Sequence, residues 1–452
     1  MRIFKTYVES YPEVLDRRVV DLCLISRYWN TVANGTPQLW TKINLSFPFA
    51  DHHLAAMLKR VHTSKLEKID VYIDFRDPDW NGDDPDHDLD GVNLLTKESI
   101  WVQDISTVLM NTERRWKSIK VVSQTWLPLY KLMEGWTFTY LPSLESISME
   151  REDPMFGMKN VSFDPQPLIG PMPLFGRNAS LPKLRDLSLS AVHVDWDDAS
   201  VCYQDLCKLE IKNITYDVGP SFEQFAAMLS SSPRLEYLDV SGYCPEHYTG
   251  PAPPAGEDPE IPIAHLPALK EFIFGWKDAS LGYDFLQMFQ IGKSLEDLTL
   301  INTESGLGYW KDRQTQGRGW AQDSQEIFDA LHGLGSQAPP DDNDIPPGPF
   351  ISMRGVKRLK ILWTKAARSS LIPFLRTLTG LEEIWLEDVH RNVLEGVTSV
   401  QVEETRATGC QPRLRRLDLR WRWVEEVPIF VEPYFQQLED VGIRTVVQAT
   451  ED

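Results

Sequence analysis

Three short stretches of the chain carry residue types that could bind a metal ion or a phosphate. The acidic stretch from Asp83 to Asp90 has the carboxylate density of a calcium-binding loop. The adjacent His52 and His53 are a potential pair of metal ligands. Gly306-Leu-Gly308 has the small residues of a phosphate-binding loop. Each stretch must be judged by the elements that would position its side chains.

None of these stretches meets the requirements of the site it suggests. The acidic stretch lacks the closing glutamate and the flanking helices of a calcium loop, so a solvated charge run is the better interpretation. Adjacent histidines diverge on a helix, and no Lys-Ser/Thr follows the glycines. The chain contains neither H-E-x-x-H nor G-x-S-x-G. We therefore expect no catalytic residue, no metal and no cofactor, and a protein that acts by binding.

The composition favours a folded intracellular protein with two or more domains. The chain has 452 residues, of which 42% are apolar and 15 are tryptophan, so it can bury a large core. A formal net charge of −20 argues against general binding to nucleic acid or to anionic membranes. Five cysteines without C-x-x-C spacing, and no signal peptide or membrane span, indicate reduced thiols in the cytoplasm, the nucleus or both.

The first 45 residues predict a small helical unit. Apolar residues recur at helical spacing at Leu22, Ile25, Trp29 and Val32, which predicts one helix from Val19 to Ala33. The helix should end at Asn34-Gly35, because glycine adopts the left-handed turn and Pro37 cannot continue a helix. A shorter helix should precede it, and a short strand should follow Trp40. The alternative is a helical cap on the next domain, with every apolar position in its core.

This unit resembles the F-box, in the form common in fungal proteins. Ser26-Arg27-Tyr28-Trp29 and Thr36-Pro37-Gln38-Leu39-Trp40 match the family pattern at the expected offset. The usual opening Leu-Pro-x-Glu does not precede Ile3, so the first helix is shortened. The resemblance implies that residues 1–45 bind a Skp-family adaptor protein and, through it, a cullin. The implied adaptor contacts are Phe4, Tyr7, Pro12, Leu22, Ile25, Arg27 and Trp29.

The rest of the chain repeats the motif apolar-x-x-apolar-x-apolar. Six of the eleven intervals between successive copies fall within roughly 20–29 residues. In five copies a proline stands two residues before the first leucine, which places it in the loop that feeds a strand. A charged residue usually follows that leucine. The first residues of the copies are Leu66, Trp116, Leu144, Leu184, Leu206, Leu235, Leu269, Leu295, Leu359, Leu381, Leu414 and Leu438.

Segments between the strands have helix start signals, most clearly at Asp51, Ser221 and Asp323. Strand, loop and helix at this spacing resemble an irregular leucine-rich-repeat solenoid over residues 46–452. The resemblance implies an α/β fold after a short all-α head, with a curved parallel sheet and with helices and loops on its convex side. An ordinary α/β domain with a parallel sheet is the alternative, and the proline–leucine register argues against it.

Four lengthened intervals interrupt the repeats, near residues 81–90, 154–182, 245–262 and 302–350. The first is acidic and the others are rich in proline. We expect them to be excursions from the edge of the solenoid.

The outward positions of the last strands carry the candidate target-binding residues. In such a strand the apolar motif positions face the core, and the alternating residues face the open side. This register places Trp363, Trp385, Arg416, Arg420 and Arg444 in one patch. Tryptophan and arginine dominate binding hot spots. The alternative is that the insertion at 302–350 covers the two tryptophans.

Together the resemblances imply a substrate-receptor subunit of a Skp-cullin-F-box ubiquitin ligase, with the head on the adaptor and the solenoid on an unknown target protein. Such a receptor works by proximity, so it is not itself an enzyme. The main alternative is a leucine-rich-repeat scaffold for protein interactions with no ligase role. A hydrolase on an α/β framework would require clustered polar groups that the sequence does not offer.

Overall fold

The computed structural model of the chain has a mixed α/β architecture in two compact units. One unit comprises residues 1–153 and 164–204, and the other comprises residues 154–163 and 205–452. The predicted boundary between residues 45 and 46 stays a prediction. The structure describes residues 21–46, 51–65, 67–76, 102–107, 109–110, 112–136, 140–152, 162–163, 168, 170, 172–175, 179–197, 204–245, 261–303, 324–339, 348–408, 413–421 and 427–449.

In the first unit, five parallel strands follow one another in sequence order. They are Lys42–Ser46 (β1), Ile69–Asp74 (β2), Trp116–Ser123 (β3), Ser146–Arg151 (β4) and Asp186–Ser190 (β5). The pairing register aligns one buried row across all five strands, at Ile43, Val71, Ile119, Ile147 and Leu187. The helices with defined bounds in this unit are Arg27–Asn34 (α1), Asp51–Thr63 (α2) and Trp126–Gly135 (α3).

The second unit contains two parallel sheets. Its strands are Lys208–Lys212 (β6), Tyr237–Val240 (β7), Ala264–Leu266 (β8), Glu271–Trp276 (β9), Phe289–Ile291 (β10), Asp297–Asn302 (β11), Phe350–Ile351 (β12), Arg358–Leu362 (β13), Glu383–Glu387 (β14), Arg416–Trp421 (β15) and Arg444–Ala449 (β16). Eight of them pair in the order β6-β7-β9-β11-β13-β14-β15-β16, and β12-β10-β8 form the smaller sheet.

Helices of the second unit pack on the apolar side of these strands. They are Phe222–Ser230 (α4), Ala279–Leu286 (α5), Gln325–Gln337 (α6), Arg368–Thr377 (α7), Arg391–Thr408 (α8) and Val427–Asp440 (α9). The ring of Phe285 in α5 lies 6.1 Å from Phe274 of β9 and 5.2 Å from Phe225 of α4, measured between centroids. Ser221 begins α4 with a capping box, as its sequence predicts.

The repeated motif corresponds to a turn followed by a buried strand. Leu184, Leu187 and Leu189 are buried together, as predicted. The amide of Leu184 donates to the carbonyl of Leu181 at 3.1 Å, which closes a four-residue turn. Pro182 is the second residue of that turn, where its fixed φ is favoured. The same bond closes the turns at Leu144, Leu235 and Leu269, so the prolines serve turn geometry as well as strand entry.

The charged residue after each leucine forms a ladder across the second unit. The backbone amide of each member donates to the carbonyl of the preceding member at 2.8 Å, as in Lys357 to Glu296. The side chains alternate in sign, and Lys357 Nζ lies 3.0 Å from a carboxylate oxygen of Glu296. We call this the charge ladder; its members are Glu236, Lys270, Glu296, Lys357, Glu382 and Arg415.

Three motif assignments are wrong. Leu359 aligns with Leu298 and Ile384, the second apolar positions of their copies, so the copy begins at the buried Val356. The true pattern is Val356, Leu359 and Ile361, and the predicted Leu359, Leu362 and Thr364 is shifted by three residues. Leu438 lies in helix α9, and β16 begins only at Arg444. Leu66 is outside the described residues, but the copy predicted from it is shifted by two residues. Val71, its predicted third apolar position, aligns with Ile119, the second position of the copy that begins at Trp116.

The insertions contain more ordered structure than the sequence predicts. The helix predicted from Asp323 is present as α6, with Ile327, Phe328 and Leu331 buried. The ring of Phe328 lies 5.4 Å from that of Phe374 in α7, so this part of the 302–350 interval belongs to the core. Residues 81–90 and 306–308, and most of 154–182 and 245–262, lie outside the described residues. Across the described ranges, no helix is both long and apolar enough to cross a bilayer.

Candidate interaction surfaces

The head has a small core centred on Trp40. Leu22, Ala33, Leu39 and Trp40 are buried together, and Trp29 packs against them with its side chain only partly buried. The indole Nε1 of Trp40 donates to the carbonyl of Ala33 at 2.8 Å. The guanidinium of Arg60, from α2, lies 5.9 Å from the Trp40 ring centroid. Trp40 therefore packs where the head meets the segment that follows it, as predicted.

The helix predicted from Val19 to Ala33 is broken at Ser26. Residues 21–25 are helical, Ser26 is extended, and α1 begins at Arg27. The Ser26 hydroxyl accepts a hydrogen bond from the Trp29 amide at 3.2 Å, which is the capping role that serine favours. The helix ends at Asn34 as predicted, but Gly35 has φ −81° and is not left-handed.

The break turns a set of apolar side chains outward. Ile25 is 60% exposed, and Leu24 and Tyr28 are exposed even more, although the helical stripe predicts them toward the core. Arg27 is also exposed. We call Leu24, Ile25 and Tyr28 the apolar trio. Of the other implied adaptor contacts, Leu22 is in the head core, Trp29 is partly buried, and Phe4, Tyr7 and Pro12 lie outside the described residues.

Four of the five predicted target-binding residues share one face of neighbouring strands. The pairing register places Arg444 beside Arg416 on adjacent strands, and Leu417 and Leu419, which alternate with the outward residues of β15, are buried. The guanidinium carbon of Arg420 lies 4.1 Å from the ring centroid of Trp385. Lys360 Nζ, on the other side, lies 5.9 Å from the same centroid. The outward patch is Lys360, Trp385, Arg416, Arg420 and Arg444.

Trp363 does not belong to the outward patch. It follows the end of β13 with φ +53°, and its amide donates to the carbonyl of Glu387 at 2.9 Å. The error comes from the shifted motif, because the outward positions of β13 are Arg358 and Lys360. Lys360 was therefore missed, and the pattern Val356-x-x-Leu359-x-Ile361 could have revealed it. The insertion contacts the segment after β13: the Ser324 amide donates to the carbonyl of Lys365 at 3.2 Å.

The cations of the patch are not equivalent. Nε and Nη2 of Arg416 each lie 2.8 Å from a carboxylate oxygen of Asp418, and this hydrogen bonding raises the pKa of Arg416. Within the part of the chain that the structure describes, Lys360, Arg420 and Arg444 have no carboxylate partner. An anionic ligand would therefore meet three cations that form no ion pair among the described residues, with Glu383 and Glu387 flanking Trp385 on the same face of β14.

A second group of charged residues lies on the outward face of β6 and β7, and its members form ion pairs with one another. Glu210 lies 2.7 Å from Lys208 and 3.1 Å from Lys212. Asp239, directly opposite Glu210 on β7, is 6% exposed, and burial raises its pKa. Burial also raises the pKa of Tyr237, with Asp239 adding to the effect. In the described ranges, no three His, Cys, Asp or Glu side chains are placed to hold a metal ion.

Comparison with protein-family models finds no match, and comparison with curated proteins finds none either. The surfaces described above are therefore the basis for a functional conclusion.

Proposed function

We propose that this chain is a substrate-receptor subunit of a Skp-cullin-F-box ubiquitin ligase, acting in the cytoplasm or nucleus. The observation that carries the proposal is the apolar trio. Leu24, Ile25 and Tyr28 are exposed on a head whose own core is closed by Leu22 and Trp40. Exposed large apolar side chains in one short segment mark a protein-binding surface. The F-box resemblance implies adaptor contacts at Ile25 and at the neighbouring Arg27, which supports a protein partner at this segment.

A leucine-rich-repeat solenoid is the fold we infer for the strands that follow. In each unit the strands succeed one another in sequence order, whereas a doubly wound sheet reverses its order at a switch point. Each copy adds a turn, a strand and a connection that contact mainly the neighbouring copy, which is how repeat proteins are built. The recurring proline turn at Leu144, Leu184, Leu235 and Leu269 supports the same reading.

Target capture is assigned to the outward patch. Trp385 offers an aromatic surface, and Arg420 and Lys360 offer cations close to it. Tryptophan and arginine contribute most of the affinity in many interfaces. A target with an acidic segment would complement this patch. The receptor would then hold the target near the ligase, with no chemistry of its own.

The adaptor interaction can be tested with purified proteins. The full chain should bind a Skp-family adaptor in a calorimetric titration, and Leu24→Asp with Ile25→Asp should weaken binding at least tenfold, or by about 1.4 kcal/mol. Leu58→Asp is the matched control, because Leu58 is also an exposed apolar residue but lies in α2. Circular dichroism should show the same helix content in all three proteins.

Two outcomes would count against the ligase proposal. If the unaltered chain fails to bind any Skp-family adaptor, the interaction scaffold without a ligase role becomes the better explanation. If the control variant weakens binding as much as the double variant, the apolar trio is not the contact surface.

A further inference from the structure

Strand β16 presents an open edge. It pairs with β15 on one side, and no strand among the described residues pairs with its other side. The Arg444 amide donates to the carbonyl of Arg415 at 3.1 Å, toward β15. Because backbone groups alternate in direction along a strand, the amides of Thr445 and Val447 point to the open side. Such a row of backbone groups is a template for another strand.

The apolar core continues to this edge and is uncovered there. One core row runs through Leu300, Ile361, Leu386, Leu419 and Val447 on successive strands. The first four side chains are fully buried, but Val447 is 46% exposed. An apolar side chain on one more strand would cover it.

The alternation of charges across the sheet also breaks at this edge. One outward row runs Glu271, Asp297, Arg358, Glu383, Arg416 and Arg444, and from Asp297 onward the signs alternate until the last position. There two arginines stand directly opposite each other, which is unfavourable in a sheet. Asp418 binds Arg416, and no described carboxylate binds Arg444. A carboxylate on the open side of Arg444 would restore the alternation.

We propose that β16 binds an extended segment of a partner protein as an additional strand. The segment carries Asp or Glu opposite Arg444 and an apolar residue three positions away, opposite Val447. Backbone hydrogen bonds supply affinity in this mode, and the two side-chain positions supply specificity. The proposal goes beyond the ligase function and does not depend on the adaptor.

The test uses the full chain and a labelled peptide, Ser-Glu-Thr-Val-Val-Thr-Ala-Ser, in fluorescence anisotropy titrations. The glutamate is placed to lie opposite Arg444, and the second valine opposite Val447. We expect this peptide to bind at least tenfold more tightly than the same peptide with lysine in place of glutamate. Arg444→Glu should reverse that preference, and this reversal distinguishes a direct charge contact from a general loss of folding.

Two backbone-modified peptides test strand addition itself. N-methylation of alternate amides on one register should abolish binding, and N-methylation of the other register should preserve it, because only one set of amides faces β16. Equal effects of the two modifications would overturn the proposal. An unchanged peptide preference in Arg444→Glu would also overturn it. Sedimentation of the chain alone as a dimer, with no peptide binding, would show that a second copy occupies the edge instead.

Discussion

The guanidinium of Arg420 lies over the indole of Trp385, 4.1 Å from the ring centroid, and its Nε donates to the side-chain oxygen of Gln448 at 3.2 Å. The cation is therefore held from two sides without being neutralised by a carboxylate. Contacts of this kind contribute about 0.5–1 kcal/mol at exposed sites. Arg416, by contrast, uses its Nε and Nη2 atoms to bind Asp418.

This difference predicts unequal roles for the two arginines. Arg420→Gln should weaken binding of a polyanionic probe, fluorescein-labelled poly-glutamate, at least fivefold in anisotropy titrations at low salt. Arg416→Gln should change binding less than twofold, because Asp418 already compensates Arg416. The sequence alone places both residues in one patch and does not distinguish between them. Equal losses in the two variants would support that simpler view.

The two tryptophans of the head should differ in their contribution to stability. Trp40 is 4% exposed and Trp40→Ala should lower the free energy of unfolding by about 3–5 kcal/mol. Trp29 is only partly buried, so Trp29→Ala should cost less than half as much. Urea denaturation of the full chain, followed by tryptophan fluorescence, gives both values. A larger effect at Trp29 would mean that the head packs differently.

The buried row of the first unit should be sensitive to truncation. Leu187 is fully buried between strand neighbours, so Leu187→Ala should destabilise the chain by about 2–5 kcal/mol. Ser148, on the neighbouring strand β4, points to the opposite face of the sheet, and Ser148→Ala should change stability by less than about 0.5 kcal/mol. Denaturant midpoints measure both. A matched loss in the two variants would contradict the alternation of faces.

Asp239 should make the second unit less stable as pH rises through the mildly acidic range. Burial raises the pKa of Asp239 above its ordinary value, so the folded state binds more protons than the unfolded state in that window. Its favourable contribution is present at low pH and is lost as pH rises through the raised pKa. Asp239→Asn should flatten the part of the melting-temperature profile that begins above about pH 4, the ordinary pKa range of an aspartate.

The charge ladder should make a small, salt-dependent contribution. Lys357→Glu places an acid between Glu296 and Glu382 and should cost about 0.5–1 kcal/mol at low ionic strength, the range of exposed ion pairs. Lys357→Gln is the control for loss of attraction without repulsion. The difference in unfolding free energy between the two variants should shrink in 1 M salt, where the Debye length is roughly 3 Å. A difference that persists in salt would point to a steric cause.

Local patterns predicted the repeating part of the fold well. Leu184, Leu187 and Leu189 occupy the predicted positions because burial on a strand imposes a period of two that survives in the sequence. The proline before Leu184 marks the turn for an equally local reason. Helix α6 was predicted from Asp323 by its apolar spacing, although the interval containing it was read mainly as an excursion.

The errors arose where two patterns overlap. Leu359 was chosen as a first position because Leu362 follows at the right offset, and only pairing with β11 and β14 resolves the register. Leu438 and Val441 have a spacing of three that a helix shares with the motif. Ser26 interrupts an otherwise continuous helical stripe, because one capping hydrogen bond competes successfully with the helix there. Contacts with residues distant in the sequence determine which of the overlapping patterns forms at these positions.

The charge ladder alternates in sign, so neighbouring repeats always carry opposite charges at this position. Its members are Glu236, Lys270, Glu296, Lys357, Glu382 and Arg415. Loss of one repeat by deletion would bring two residues of equal sign side by side, whereas loss of two consecutive repeats would leave the alternation intact. Duplication of one repeat would likewise place equal signs side by side, whereas duplication of two consecutive repeats would keep the alternation. Gene rearrangements that change this array should therefore be tolerated more readily in steps of two repeats than in steps of one.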